Sequence, residues 1–128
     1  DNAEDWVIST GRTTSIREFV KMAFSYLGIE IEFRGKGLDE TAFVKSCSDD
    51  RYQIKKGVTI LKIDKRYFRP TEVDLLIGNS QKAKDILGWE PEISLEELVN
   101  EMVESDIKLF SKEKYLKDLG ISGKNYYE

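Results

Sequence analysis

Apolar residues recur at Ile16, Phe19, Val20, Ala23, Phe24 and Leu27, the spacing that keeps one side of a helix hydrophobic. The chain signals both ends of that helix. Ser15 and Glu18 form a capping box, in which the serine hydroxyl accepts from the backbone N–H three residues on and the glutamate reaches back. Gly28 follows the last apolar position, where a left-handed residue closes the final turn. Upstream, Trp6-Val7-Ile8-Ser9-Thr10 is a short β-type run closed by Gly11, so the pattern predicts a strand leading into the helix.

Ile29 to Phe33 predicts a second strand, and the alternation from Thr59 to Asp64 a third. The stretch between them, about 35–57, is polar and aperiodic and is expected to be an irregular functional or mobile loop. Val73 to Ile77 is another short apolar run, closed by Gly78. Asn79 or Ser80 can then cap a short helix carrying Ala83, Ile86 and Leu87 and ended by Gly88, with Trp89 as a bulky core anchor beyond it. A second capping box, Ser94 with Glu97, starts a long helix with apolar positions Leu95, Leu98, Val99, Met102, Val103, Ile107 and Phe110. The expected fold is therefore α+β, a small mixed sheet with about three helices over residues 1–110, followed by a charged peripheral tail at 111–128. So few strands leave the sheet edges open unless another domain covers them.

Composition narrows the function more than the fold. A chain of 128 residues is a prior for one domain. Area scaling predicts ~7,000 Å² of accessible surface once folded, about a third of the unfolded value. The net charge of −4 disfavours sequence-independent binding to nucleic acid or an anionic membrane. No apolar run is long enough for a membrane span, and Asp1 to Asp5 lacks the basic start and apolar core of a signal peptide. With no histidine and the single cysteine Cys47, the chain has no internal disulfide, no histidine-based nucleophilic catalysis and no Cys- or His-ligated metal centre. A reducing, cytoplasmic setting is expected.

Candidate chemistry concentrates in Arg66-Tyr67-Phe68-Arg69-Pro70-Thr71-Glu72. Arg69 follows a predicted strand, precedes a stiffening proline and has a carboxylate three residues on. A guanidinium fork suits a diphosphate and a nearby carboxylate suits ribose hydroxyls, so Arg69 and Glu72 can form a nucleotide clamp. The same spacing also fits a silent surface ion pair, and spacing alone favours the silent pair by about two to one. Thr10-Gly11 at a strand end is only a fragment of a phosphate loop, because the G-x-G-x-x-G fingerprint is missing. Cys47 stands among serines and aspartates with nothing to activate it, and the glutamates at 92, 96, 97, 101 and 104 make a solvated helix face.

Over nearly its whole length the chain resembles the C-terminal, substrate-binding portion of the GDP-mannose 4,6-dehydratase family, within the extended short-chain dehydrogenase/reductase superfamily. The resemblance runs through Val7-Ile8-Ser9-Thr10-Gly11 into Ser15-Ile16-Arg17-Glu18-Phe19-Val20, and through Ser80-Gln81-Lys82-Ala83-Lys84 to Leu87-Gly88-Trp89-Glu90-Pro91. These segments are shared with many nucleotide-sugar epimerases and dehydratases. The narrowest is Arg66-Tyr67-Phe68-Arg69-Pro70-Thr71-Glu72-Val73-Asp74. The resemblance implies that Arg69 contacts the GDP diphosphate and Glu72 the ribose, which reverses the weighting from spacing. It implies GDP-mannose as substrate, NADP bound by an N-terminal Rossmann half, and a lyase reaction whose catalytic groups this chain lacks. That half and a homo-oligomeric assembly are the expected partners, and an apolar face left open in the isolated chain is expected to promote dimerisation or aggregation. A related GDP-sugar reductase or epimerase fragment and a non-catalytic interaction module with this fold are the rival readings.

Overall fold

The computed structural model describes residues 3–69, 71 and 75–121. The chain is α+β, as expected. Helix α1 spans Ile16–Tyr26, strands β1 Ile29–Arg34, β2 Thr41–Cys47 and β3 Thr59–Lys62, and helices α2 Gln81–Leu87 and α3 Leu95–Asp118. Single 3-10 turns lie at Gly37–Asp39 and Lys65–Tyr67.

Both capping boxes form: Ser15 Oγ accepts from Glu18 N at 3.2 Å and Ser94 Oγ from Glu97 N at 3.2 Å, with each glutamate returning to its serine N–H. Helix α2 starts differently. The side chain of Asn79, not Ser80, accepts from the Gln81 N–H, and Gly88 closes the helix in the left-handed region at φ 65°. Helix α3 continues through residue 110, the end of its apolar pattern, to Asp118, so its last turns are charged helix.

The sheet corrects two expectations. It is antiparallel throughout, in the order β1-β2-β3, rather than mixed. Its central strand, β2, lies inside the stretch expected to be an irregular loop. The alternation is hidden by register shifts. Ser46 faces Glu30 but Val44 faces Ile31, so Lys45 is an extra residue against β1; Ile60 is likewise extra between Leu61 and Thr59 against β2. Ala42, fully buried opposite Phe33, is too small to register as a hydrophobic signal. The expected first strand is also absent: residues 6–10 carry no regular secondary structure and pair with no strand among the described residues.

Ile29, Ile31 and Val44 form the buried centre, covered by Val20, Phe24 and Leu27 from the α1 side and by Tyr52, Ile54 and Ile60. Arg17 forks onto the buried Glu40 carboxylate at 2.7 and 2.9 Å, tying α1 to the start of β2. That pairing is the condition under which a buried carboxylate is tolerated.

Elsewhere the packing is thin. Val99 is the buried residue of α3, whereas Leu98, Met102 and Phe110 on the same helix are exposed, as are Ile86 and Leu87 of α2 and Leu75 to Ile77. The accessible surface is 11265 Å², far above the ~7,000 Å² of a self-contained fold of this mass. Amphipathic stripes are present, but much of their apolar surface has no described counterpart to pack against. No helix among the described residues is long and apolar enough to cross a membrane.

Candidate functional site

The cationic turn grows directly out of the sheet. β3 ends at Lys62, and Asp64 then caps the 3-10 turn Lys65–Tyr67 by accepting from the Arg66 N–H at 3.0 Å. The same carboxylate holds the Arg66 side chain: Nε lies 3.0 Å from Oδ2 and Nη2 2.6 Å from it. Hydrogen bonding to the Arg66 side chain, then to its backbone, lowers the Asp64 pKa below the usual aspartate value, and the carboxylate raises that of Arg66 in return. Asp64 thus organises the turn twice, once through the main chain and once through the guanidinium.

The turn presents its side chains outward. The Arg66 guanidinium carbon stands 5.7 Å from the Tyr67 ring centroid, a cation–π distance. Tyr67 is 78% and Phe68 53% exposed. Arg69 is exposed and makes no ion pair or side-chain hydrogen bond among the described residues. Glu72 and Pro70 lie outside the described residues, as do Val73 and Asp74 of the following apolar run.

The N-terminal segment packs beside the chain that follows this turn. Ser9 Oγ donates to the Gly78 carbonyl at 2.8 Å. Further along, Lys82 Nζ pairs with Glu4 at 2.8 Å, donates to the Asp5 carbonyl at 3.3 Å and sits 4.6 Å from the Trp6 ring. Residues 4–9 are thereby strapped across 78–82, and the chain bends at Gly11, whose φ is 69°, near the Gly78 carbonyl.

Other candidate groups have structural partners. The half-buried Cys47 thiol donates to the carbonyls of Tyr52 at 3.1 Å and Asp49 at 3.4 Å. Trp89 is half-buried. Glu97 is used as a cap and Glu104 pairs with Lys108. No group of three or more metal-ligating side chains is gathered among the described residues. An open groove of about 480 Å³ runs between α1 and β1, lined by Lys21, Ser25, Glu30, Ser46 and Ser48 among others. A second, of about 300 Å³, lies on the outer face of the sheet beside Arg34, Phe43, Lys45 and Lys56. Neither of these two grooves is lined by the described residues of the turn, 64–69 and 71.

The described elements do not fit a dinucleotide cofactor. An antiparallel sheet has no β-α-β crossover of parallel strands, and no Gly-rich turn joins a strand to a helix N-terminus. Arg66 and Tyr67 stand out from sequence only as neighbours of Arg69. The role of Asp64 was overlooked there, although an Asp two residues before an Arg after a strand is the local signal for a capped, side-chain-locked turn.

The described residues thus form a thinly packed α+β fold with an exposed arginine, Arg69, after the turn that follows β3. Comparison with known proteins places the chain in a family. Residues 1–102 match the family model described as GDP-mannose 4,6 dehydratase, and the chain belongs to that family. It is 47% identical over 121 residues to the GDP-mannose 4,6-dehydratase of Yersinia enterocolitica, covering 94% of this chain and 32% of that protein. A GDP-mannose 4,6-dehydratase of Vibrio cholerae shows the same identity and coverage. The human GDP-mannose 4,6 dehydratase is 41% identical over 109 residues, 85% of this chain and 27% of that protein. The chain thus spans about a third of the length of the curated relatives it matches.

Proposed function

We propose that this chain is the substrate-binding portion of a GDP-mannose 4,6-dehydratase, a carbon–oxygen lyase that converts GDP-mannose to GDP-4-keto-6-deoxymannose. The observation that carries the reading is the family match, which runs through the Arg66 to Glu72 turn, together with the exposure of Arg69 on it. In this reading residues 1–110 bind the nucleotide sugar and 111–128 are peripheral. Arg69 takes the diphosphate with its planar fork, and Glu72 accepts from the ribose hydroxyls. The NADP of the whole enzyme and its catalytic groups belong to an N-terminal Rossmann half. The exposed apolar residues of α2, α3 and 75–77 are where that half, or a second subunit, would pack. This lobe contributes binding and orientation, and the isolated chain is inactive.

The test is an amide NMR titration of the chain with GDP-mannose, with UDP-glucose as control and Arg69→Ala alongside. Binding should be weak, since one wall supplies only part of the contacts. Shifts centred on Arg69 and Glu72, larger with GDP-mannose and lost in the variant, support the assignment. Silence at Arg69 in millimolar ligand, or an undiminished response in Arg69→Ala, removes the clamp.

A further inference from the structure

We infer that Tyr67 is a stacking platform for the base of the nucleotide whose phosphates Arg69 receives, an inference that rests on the diphosphate reading of Arg69. Tyr67 is 78% exposed, yet it is not on a loose loop. Its backbone lies in the 3-10 turn capped by Asp64, and one face of its ring is backed by the Arg66 guanidinium at 5.7 Å. That guanidinium is itself held by Asp64 through Nε and Nη2. The ring is thus fixed from behind and open in front, the pre-organisation that lowers the cost of holding a ligand.

The spacing also fits. Phe68, between Tyr67 and Arg69, has an extended backbone at φ −69° and ψ 128°. Two residues span at most ~7 Å between Cα atoms. From that separation the phenol ring and the long Arg69 side chain can reach the base and the diphosphate of one nucleotide. A flat base completes a guanidinium–phenol–base stack, and its phosphates answer the charge of Arg69. An aliphatic protein surface would offer neither the flat π face nor the negative charge.

The experiment follows the Tyr67 ring resonances and the Arg69 amide together while the chain is titrated with GDP and, separately, with inorganic pyrophosphate. The expected result is movement of the Arg69 amide with both ligands and an upfield ring-current shift of Tyr67 with GDP alone. Tyr67→Leu should weaken GDP binding roughly 5- to 150-fold, the span of base–aromatic stacking, without changing pyrophosphate binding, and Tyr67→Phe should restore it. Arg69 responding to both ligands while the Tyr67 ring stays still under GDP overturns the stacking and leaves the diphosphate reading intact. No response of Arg69 to either ligand overturns both.

Discussion

Gly78 offers the sharpest test of how the N-terminal segment is held. Its φ is not positive, so alanine meets no backbone penalty there. A Cβ at this position, however, would lie 2.6 Å from Ser9 Oγ, 2.7 Å from Ser9 Cβ and 3.4 Å from Val7 Cγ1. Carbon contacts are comfortable only from ~3.5 Å, so Ser9 must retreat by roughly 1 Å and release the 2.8 Å hydrogen bond to the Gly78 carbonyl. Losing such a bond costs about 0.5–1.5 kcal/mol, and forcing a methyl into a packed contact about 1–3 kcal/mol. The stiffer unfolded chain returns about 0.4–1 kcal/mol. Gly78→Ala should therefore destabilise by about 1–3 kcal/mol, measured by urea unfolding with tryptophan fluorescence. Trp6 lies in the same segment under Lys82 and reports its release directly. Ser9→Gly removes both clashing atoms, so the double variant should recover most of the steric part. A Gly78→Ala chain within about 0.5 kcal/mol of the parent, or additivity in the double-mutant cycle, would show that 4–11 does not rest against 78–82.

Three further outcomes are expected. Gly88→Ala should cost about 1–2 kcal/mol for a purely conformational reason: its Cβ meets nothing within 4 Å, but φ is +65°. Gly88→Asn should cost less, and equal losses for the two would refute the conformational origin. Val99→Ala, at 1% exposure the buried anchor of α3, should cost about 1.5–2.5 kcal/mol in the same unfolding assay, whereas Leu98→Ala, exposed on the same helix, should cost much less. The third concerns pH. Side-chain hydrogen bonds lower Asp64 and Glu97, and a backbone hydrogen bond to Ser15 leads the lowering at Glu18. Lowered carboxylates give the unfolded state more protons, so their stabilisation is full above the unfolded values and is lost as pH falls through the folded ones. The urea midpoint should hold from neutrality to about pH 5 and decline below about pH 4, shallowly because these groups are exposed. A rise on acidification would contradict the assigned pairings.

The helices were legible because their signals are local. Ser15 with Glu18, Ser94 with Glu97, and Gly28 and Gly88 mark ends through bonds made within one turn. β1 and β3 were legible because their alternation is short and clean. β2 was not: the extra residue Lys45 breaks its period against β1, and the buried side chain opposite Phe33 is an alanine. Residues 6–10 show the converse error, a strand-like composition with no hydrogen-bonded strand neighbour among the described residues. At the candidate site, Arg69 stood out as a charge beside a stiffened turn, while Asp64 became visible only once its carboxylate was seen on the Arg66 side chain.

By itself, then, the sequence determined the α+β class, the capped starts of α1 and α3, the glycine stops of α1 and α2 and the absence of histidine chemistry. These depend on covalent identity and on contacts a few residues apart. Tertiary structure decided that the sheet is antiparallel with β2 at its centre, that Arg17 and Glu40 join across 23 residues, and that Ser9 lies against Gly78. It also decided that the apolar faces of α2 and α3 stay largely open among the described residues. Those outcomes depend on which distant surfaces meet, and a hydrophobic stripe records that a residue prefers burial without naming what will cover it.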